Sequence, residues 1–495
     1  MPITYDPAAN IITVTGFTEE APCTFDDLYD ADKAGTLELL PSETYFEGVT
    51  RKSLTTQVRP ADSKALKLNI LITASNDIDA NLLIVGKNLA GESISEFITL
   101  YPVGTKVTTY YYSSVDTDGL SISVSAGKSV TFSITQSRWG VVWRTEAGNK
   151  KQYYFDDVRV HFGDDVTPTY FKDTNVQVTF HSTLTRWNKN FYLHKNLTFQ
   201  LGEVYDETNK RGTDGCQIYA YNPNDNLTAL CGWLGDSTTI VKLYGCHFGG
   251  GRFVEFKGNA VIWDCTFQTN WLNVDTPDIN NVTLIETFLE QATGGIISDI
   301  FIFGANYGYH KRWAATFSIV DLKIRNCTYI AYLEGFDGTL SLIDADSDTW
   351  AIKWRADPPY ESYGSVDRKY TMNLKVLDKD GNPVEGATVT LCDKDGTQIF
   401  STTTDINGEI PEQTVLYARY KQDHPSVGTI ATIYSPHKLE VKKAGYQDYQ
   451  ITFTLDNKID WKIKLAKAVS VFLSFGRPVV NLKKTDPENK NVMVL

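Results

Sequence analysis

Short runs of alternating apolar and polar residues dominate the chain, and one run recurs in the middle. Three copies place a cysteine behind a strand-like run and end on an aromatic residue, at 241–248, 261–267 and 323–329. Cys265 follows Cys246 by 19 residues and Cys327 follows Cys265 by 62, which is about three steps of 20. Degraded copies at 282–288 and 297–303 lie in that interval. A strand repeat of this length is typical of a solenoid and predicts a stiff rod.

The same pattern of short alternating runs extends over residues 138–355, where the predicted strands are short and no helical period appears. We predict a right-handed parallel β-helix there, similar in architecture to the pectate-lyase-like superfamily. Asn259, Asn281 and Asn326 lie near the ends of repeats, where a side-chain amide can satisfy the backbone of a tight corner. Residues 269–279 are predicted to be a loop that projects from one coil.

One helix is predicted, from Thr24 to Leu40, ending before Pro41. Thr24 can cap it, and Asp26 and Asp27 lie in its first turn, where the helix dipole favours anions. Because a solenoid exposes apolar edges at its first coil, residues 1–64 are predicted to be a cap or an anchor to a partner.

Six alternating segments separated by Gly, Asn or Asp indicate a β-sandwich at 65–137, inserted before the solenoid. The runs at 70–75, 83–92, 98–100 and 110–115 resemble a sandwich module common in structural proteins of tailed phages. The resemblance covers about 70 residues. Lys87 and Asn88 replace the aspartate of that module's hairpin turn, so a metal role does not carry over to this loop.

A second module is predicted at 370–467, after a linker at 356–369 and before an extended arm at 468–495. It contains a glycine- and proline-marked strand–turn–strand followed by a Thr-Asp-x-x-Gly turn, carried by Gly381, Pro383, Gly386, Ala387, Val389, Thr404, Asp405 and Gly408. These motifs closely resemble carboxypeptidase regulatory-like domains, which are transthyretin- or immunoglobulin-type sandwiches and usually non-catalytic. The arm is expected to dock on a neighbour. The predicted fold class is therefore all-β, a right-handed parallel β-helix with two β-sandwich domains.

The net charge, the cysteine pattern and the apolar runs of the chain disfavour several classes of function. The net charge is −13, which disfavours binding to nucleic acid or to an anionic membrane surface. Seven cysteines without a C-x-x-C pair give little support for structural zinc, and Cys246, Cys265 and Cys327 are predicted to be small buried packing residues. No signal-peptide pattern or membrane-length apolar run is present, so we expect synthesis in a reducing cytoplasm and no membrane insertion.

The candidate catalytic and metal-binding residues are aspartates. Asp344, Asp346 and Asp348 would share one face of a strand, where two acids could serve a lyase or glycosidase, or three could bind calcium. The same segment also fits a solvated corner. Two Asp-Lys-Asp-Gly segments, at 378–381 and 393–396, lack the later ligands of a calcium loop and are predicted to be hairpin turns. No metal or cofactor is expected.

Aromatic residues provide the only candidates for ligand binding. Tyr307, Tyr309 and Trp313 cluster with cations at 306–313 and could stack on a sugar, although such rings are also typical of packing and of subunit interfaces.

The modules together resemble virion structural proteins of tailed viruses. This resemblance implies a non-enzymatic protein on the particle surface, as a head fibre or decoration or as a tail fibre or spike. Implied partners are copies of itself, with a homotrimer as the default, other capsid or tail proteins, and a host-surface glycan as a candidate. The alternative is a polysaccharide-degrading tailspike acting on the β-helix face. A cellular surface adhesin ranks third, since the chain shows neither an export signal nor a wall anchor.

Overall fold

The structure is a computed structural model of the 495-residue chain. It describes residues 2–6, 9–34, 37–56, 67–88, 90–110, 112–136, 142–147, 150–156, 158–181, 189–221, 229–233, 235–250, 253–269, 271–291, 296–312, 316–423, 428–468 and 492–494. Strands account for 64% and helix for 2%, so the predicted all-β class is confirmed. The chain divides into two compact units, Met1–Glu290 and Gln291–Leu495, which we describe in turn.

The first unit opens with β1 (Ile3–Asp6), β2 (Ile11–Val14) and the helix α1 (Phe25–Lys33). Thr24 caps the helix as predicted, because its hydroxyl accepts from the Asp27 N–H while the Asp27 carboxylate accepts from the Thr24 N–H. The predicted end at Leu40 is wrong. Leu37–Leu40 begin the next strand, and Leu39 and Leu40 are buried in its sheet.

The inserted module is one antiparallel sheet of six strands: β3 (Leu37–Lys52), β4 (Asn69–Ser75), β5 (Asn81–Lys87), β6 (Ser93–Thr99), β7 (Gly104–Val107) and β8 (Ser114–Gln136). The long strand β8 pairs with β3 on one side and with β4 and β5 on the other. Buried residues of all these strands form one cluster, so the two halves of the sheet cover each other as a sandwich. The sheet begins at Leu37 instead of at residue 65, and two predicted strands are the single strand β8, with Gly127 at φ +72°.

A parallel β-helix follows in the first unit, as predicted. The strands of this region are β9 (Val142–Ala147), β10 (Lys150–Asp156), β11 (Arg159–Phe162), β12 (Thr169–Asp173), β13 (Val176–His181), β14 (Lys189–Leu193), β15 (Leu197–Leu201), β16 (Glu203–Asp206), β17 (Arg211–Thr213), β18 (Gln217–Tyr221), β19 (Ala229–Trp233), β20 (Ile240–Tyr244), β21 (His247–Gly249), β22 (Phe253–Trp263), β23 (Thr266–Gln268), β24 (Trp271–Asn280), β25 (Val282–Ile285) and β26 (Phe288–Gln291). Of these, β9 pairs antiparallel with β10, and β16 and β17 form a separate antiparallel hairpin. Three series pair in parallel: β10-β13-β18-β21-β23-β25, β2-β11-β14-β19 and β12-β15-β20-β22-β24. The chain passes from one series to the next as it coils.

The length of one coil varies more than the cysteine spacing suggested. Phe191 pairs with Cys231, a step of 40 residues, whereas Thr266 pairs with Thr283, a step of 17. The loop predicted at 269–279 is wrong: β24 pairs in register with β22, and its side chains Leu272, Val274 and Ile279 are completely buried.

Three cysteines of the first unit, Cys216, Cys246 and Cys265, form a stacked column. The His247 N–H donates to the Cys216 carbonyl (2.9 Å), and the Thr266 N–H donates to the Cys246 carbonyl (2.8 Å). The Cys246 N–H lies 3.4 Å from Cys265 Sγ. All are buried, which confirms the packing prediction, and burial raises the pKa of the Cys246 thiol, so it stays neutral.

The first coil is covered by the helix. The Phe25 ring packs 4.9 Å from the Phe171 ring and also contacts Tyr153, centroid to centroid. The Asp26 carboxylate accepts from Arg144 and Tyr153, and Asp173 accepts the Phe25 N–H (2.8 Å). Burial raises the pKa of Asp173 to about 6.

The second unit starts with further parallel coil: β27 (Ile296–Phe303), β28 (Tyr307–Arg312), β29 (Phe317–Arg325), β30 (Tyr329–Glu334), β31 (Thr339–Ile343), β32 (Asp346–Ser347) and β33 (Ile352–Trp354). One parallel series is β27-β29-β31 and another is β28-β30-β33. Asn326 and Asp344 occupy corners with φ of +56° and +54°, a backbone region that Asn and Asp tolerate. Cys327, after the first of these corners, is buried.

The unit ends in an antiparallel sandwich: β34 (Ser365–Asp378), β35 (Thr388–Cys392), β36 (Gln398–Thr403), β37 (Gln413–Asp423), β38 (Gly428–Ile433), β39 (His437–Lys442), β40 (Tyr449–Phe453), β41 (Ile459–Leu465) and β42 (Val492–Val494). One layer is β36-β35-β39-β40, and the other contains β38, β37, β34 and β41. The predicted hairpin turns are confirmed, because the carboxylates of Asp378 and Asp393 each accept two N–H groups of their own turn. Most of the predicted arm lies outside the described residues.

Strand β34 belongs to both the coil and the sandwich. Ser365–Lys369 pair with β31, and Met372–Asp378 pair with β41. The predicted linker at 356–369 therefore differs from the structure, since its last five residues are a strand of the coil that continues into the sandwich.

Candidate functional site

Asp344 joins the coil to the sandwich. Its side chain is 4% exposed, and its carboxylate accepts from the Thr371 N–H (2.7 Å) and hydroxyl (2.5 Å). Lys458 Nζ lies 4.0 Å from the same carboxylate. These contacts give Asp344 a structural role at the beginning of the sandwich.

Asp346 and Asp348 brace the neighbouring coil. Asp346 pairs with Arg325 (2.5 Å), and Asp348 accepts the Asn326 N–H (2.7 Å). The side chain of Asp346 is 60% exposed, unlike that of Asp344. The expectation of one shared face is therefore wrong, because the positive φ of Asp344 interrupts the strand alternation. Among the described residues, no group of His, Cys, Asp and Glu could hold a metal ion.

The three aromatic candidates separate in the structure. Tyr309 is completely buried and packs 5.2 Å from Phe317, so its selection as a ligand residue is wrong. Trp313 lies outside the described residues. Tyr307 is half-buried on the outer side of β28 and belongs to a larger cluster.

We call this cluster the tyrosine–cation face. It is made by three neighbouring strands and the segment after them, and it comprises Tyr307, His310, Arg312, Tyr329, Tyr332, Glu334, Lys353, Arg355, Asp357 and Tyr360. The register of the parallel strands brings these side chains together. Tyr307 of β28 pairs with Tyr329 of β30. His310, Tyr332 and Lys353 form one row across β28, β30 and β33.

The rings of this face pack on one another. His310 and Tyr332 are stacked with centroids 4.8 Å apart, and Tyr307 lies 5.0 Å from Tyr332 and 6.0 Å from Tyr329. Lys353 Nζ lies 4.8 Å and 5.1 Å from the Tyr332 and Tyr307 centroids. Tyr332 thus has a neighbour on each side of its row, so the arrangement favours contact through hydroxyls and cations over sugar stacking on its ring.

Among the residues that the structure describes, the arginines of the tyrosine–cation face are paired with carboxylates, whereas its lysine is not. Arg355 bonds Glu334 and, through two nitrogens at 2.9 Å each, Asp357, which lowers the pKa of Asp357. Arg312 lies 3.6 Å from Glu334. Within the described part of the chain, Lys353 has no carboxylate partner. It donates to the Tyr307 hydroxyl (3.0 Å), and this bond raises the pKa of Lys353, so it is charged at neutral pH.

Sequence inspection found only one edge of this face. Tyr332, Lys353 and Arg355 were missed because they lie one and two coils further along the chain. The available signal was the local period: Tyr307 pairs with Tyr329 and Tyr332 with Lys353, steps of 22 and 21 residues.

A second polar cluster lies in the first unit. His194 bonds His161 Nδ1 through Nε2 (2.8 Å) and Asp165 through Nδ1 (3.1 Å). Burial lowers the pKa of His161 to about 4, so the His161 ring is neutral at pH 7, and its bond to His194 links neighbouring coils.

No known family model matches the chain, and no curated protein matches it. Among the described residues, no helix has the length and apolarity needed to cross a bilayer.

Proposed function

We propose that this protein is a non-enzymatic structural component of a tailed-virus particle, displayed on its surface as a fibre, spike or decoration protein and used in host-surface attachment. The observation that carries the proposal is the continuity of β34, which holds the terminal sandwich on the coil through backbone hydrogen bonds. A stiff support that ends in a compact module suits display better than catalysis.

The sequence resemblances support the same assignment. Two motif glycines of the terminal module, Gly381 and Gly408, lie in turns and adopt positive φ, and Val389 of the same motif is buried in β35. Gly408 also packs so tightly that an added Cβ would lie 2.4 Å from the Val376 carbonyl oxygen. The motif is therefore accounted for by folding, which agrees with a spacer or adhesive module.

The structural contacts of Asp344, Asp346 and Asp348 argue against the enzymatic alternative. A glycoside hydrolase needs one carboxyl group that can donate a proton and a second carboxylate about 5–9 Å away. Asp344 holds Thr371, Asp346 holds Arg325, and Asp348 holds the backbone of Asn326. No observation on this cluster favours a polysaccharide-degrading tailspike as a second function.

Closed rotational symmetry is the default for such parts, and we propose a homotrimer bound to other capsid or tail proteins. Sedimentation of the purified chain at high concentration tests this, and a monomer at all concentrations would count against it.

The test of the function uses intact particles. Purified virus from the producing culture should contain the chain by mass spectrometry, and antibodies against residues 370–467 should decorate unbroken particles in electron micrographs. Detection of the chain only in the particle-free lysate would refute the proposal. Antibodies against a buried internal virion protein are the matched control for particle integrity.

A further inference from the structure

Lys353 is an unusual cation in an acidic chain. The protein has 60 acidic and 47 basic residues, so an exposed cation has many potential carboxylate partners. Within the described residues, the Lys353 ammonium has no ion pair, and its polar and ring contacts are to the hydroxyl of Tyr307 and to the rings of Tyr307 and Tyr332. A charge held in place without a counter-ion is available to an anion from outside the chain.

The surroundings of Lys353 fix its position. Its side chain is half-buried, and two rings lie within 5.1 Å of its ammonium, so little rotamer entropy remains to be lost on binding. An ammonium has three donors, and one of them is used by Tyr307. The remaining two can serve an oxyanion.

Neutral hydrogen-bonding groups surround this charge. Tyr307, Tyr329 and Tyr332 are half-buried on adjacent strands, and burial raises the pKa of the Tyr332 hydroxyl, so it remains protonated. A phenol can both donate and accept, which suits the hydroxyl groups of a sugar. Strands about 4.8 Å apart repeat these groups along a line, which suits a linear polymer.

We propose that the tyrosine–cation face binds an anionic polysaccharide, with a negatively charged group of the sugar chain on Lys353 and sugar hydroxyls on the tyrosines. The inference deepens the proposed attachment function and rests on it for the biological source of the glycan. Both a uronate carboxylate and a phosphodiester supply the required chemistry, and the experiment separates them.

The experiment measures binding of the full chain by calorimetry to four probes: polygalacturonate, a purified teichoic acid, neutral dextran and single-stranded oligo-dT. At least one of the first two should bind, and the one that does identifies the anion. Dextran and oligo-dT should bind at least about tenfold more weakly, since one lacks the charge and the other lacks the array of sugar hydroxyls.

Two variants test the residues. Lys353→Met keeps the apolar stem against the rings and removes the charge, and it should weaken binding about tenfold or more. Tyr307→Phe removes one hydroxyl and should weaken binding severalfold. Lys323→Gln is the matched control, an exposed lysine on β29 outside this face, and should leave binding unchanged. Circular dichroism and melting curves confirm that each variant is folded.

Three results would overturn the inference: equal binding of dextran or oligo-dT, no binding of either anionic glycan, or unchanged binding by folded Lys353→Met. These results leave the particle experiment untouched. Conversely, glycan binding by a chain absent from particles would refute the proposed function and keep the site.

Discussion

The two sandwich modules are attached to the chain in different ways. The first and last residues of the inserted module are neighbours in space, because Leu37 at the start of β3 pairs with Gln136 at the end of β8. The terminal module instead shares β34 with the coil before it. An insertion with neighbouring ends can fold or unfold by itself, whereas a module on a shared strand cannot open at its base without breaking pairs of the coil.

Side chains reinforce this difference. At the base of the terminal module, Asp367 is 1% exposed and accepts two bonds from Arg419. Arg368 lies 4.0 Å from the Trp350 ring centroid and 4.6 Å from that of Tyr417. The buried cluster of the inserted module comes from residues 39–134, and that of the terminal module comes from residues 370–465. Each module therefore has a core of its own, and the terminal one is anchored to the coil by charge and aromatic contacts as well.

The largest effect is expected from emptying the core of the inserted module. Phe132 is completely buried, with its ring centroid 5.1 Å from that of Tyr45. Phe132→Ala should destabilise the module by about 3–5 kcal/mol through lost transfer energy and a cavity. Denaturation followed by hydrogen exchange should show loss of protection at 37–136 with unchanged protection of β11 to β15. Equal loss in those strands would show that the insertion is not independent.

The next effect concerns the shared base. Asp367→Ala removes the partner of Arg419 and should cost about 3 kcal/mol, the low end for a broken buried pair because Arg419 is 37% exposed. Urea unfolding of the second unit measures this. Asp460→Ala, an exposed acid on β41, is the matched control and should change stability by less than about 0.5 kcal/mol. A similar small change in both variants would contradict the anchoring role of Asp367.

A pH effect should distinguish the modules. His437 of the terminal module is completely buried, and burial lowers its pKa below the ordinary value of 6.5. The unfolded state therefore binds the proton more tightly, so this histidine's contribution is fully present above about pH 6.5 and declines as the pH falls below it.

The inserted module contains no histidine and should show no such decline between pH 7 and 5.5. Thermal melts across this range measure both modules, and His437→Leu should flatten the profile of the terminal one. An unchanged slope in that variant would assign the pH dependence to other groups.

The smallest effect is expected from excision. Replacing residues 37–136 with a short Gly/Ser linker should change the stability of the coil by less than about 1 kcal/mol, because Leu37 and Gln136 are already neighbours and closing a short loop is cheap. Hydrogen exchange of β11 to β15 reports the result. Excision of 372–468 is the contrasting variant and should increase exchange at Ser365–Lys369, because it removes the pairing of this segment with β37.

The sequence predicted features whose causes are local. Thr24 and Asp27 form a capping box within four residues, so the start of α1 was correct. The predicted end of the helix was wrong because Leu39 and Leu40 are buried in β3, which pairs with a strand about 90 residues later in the chain. No local pattern reveals such a pairing. The coil was recognised from its period, but Pro277 and its polar neighbours suggested a loop where register with β22 holds a strand.

The candidate site was less predictable for the same reason. Tyr307 was identified, but Lys353 joins it only through the pairing of three strands from successive coils. Asp344 was chosen for its spacing from Asp346, and the positive φ that separates their side chains has no sequence signal beyond the residue type.

Hydrogen exchange along β34, measured by mass spectrometry on the intact chain, shows whether the coil and the terminal sandwich open together. We expect the amides of Ser365–Lys369 and Met372–Asp378 to open with one free energy, and Asp367→Ala to lower that free energy for both segments. Rapid exchange at Ser365–Lys369 beside full protection of Met372–Asp378 would show a hinge between coil and sandwich and would contradict the account.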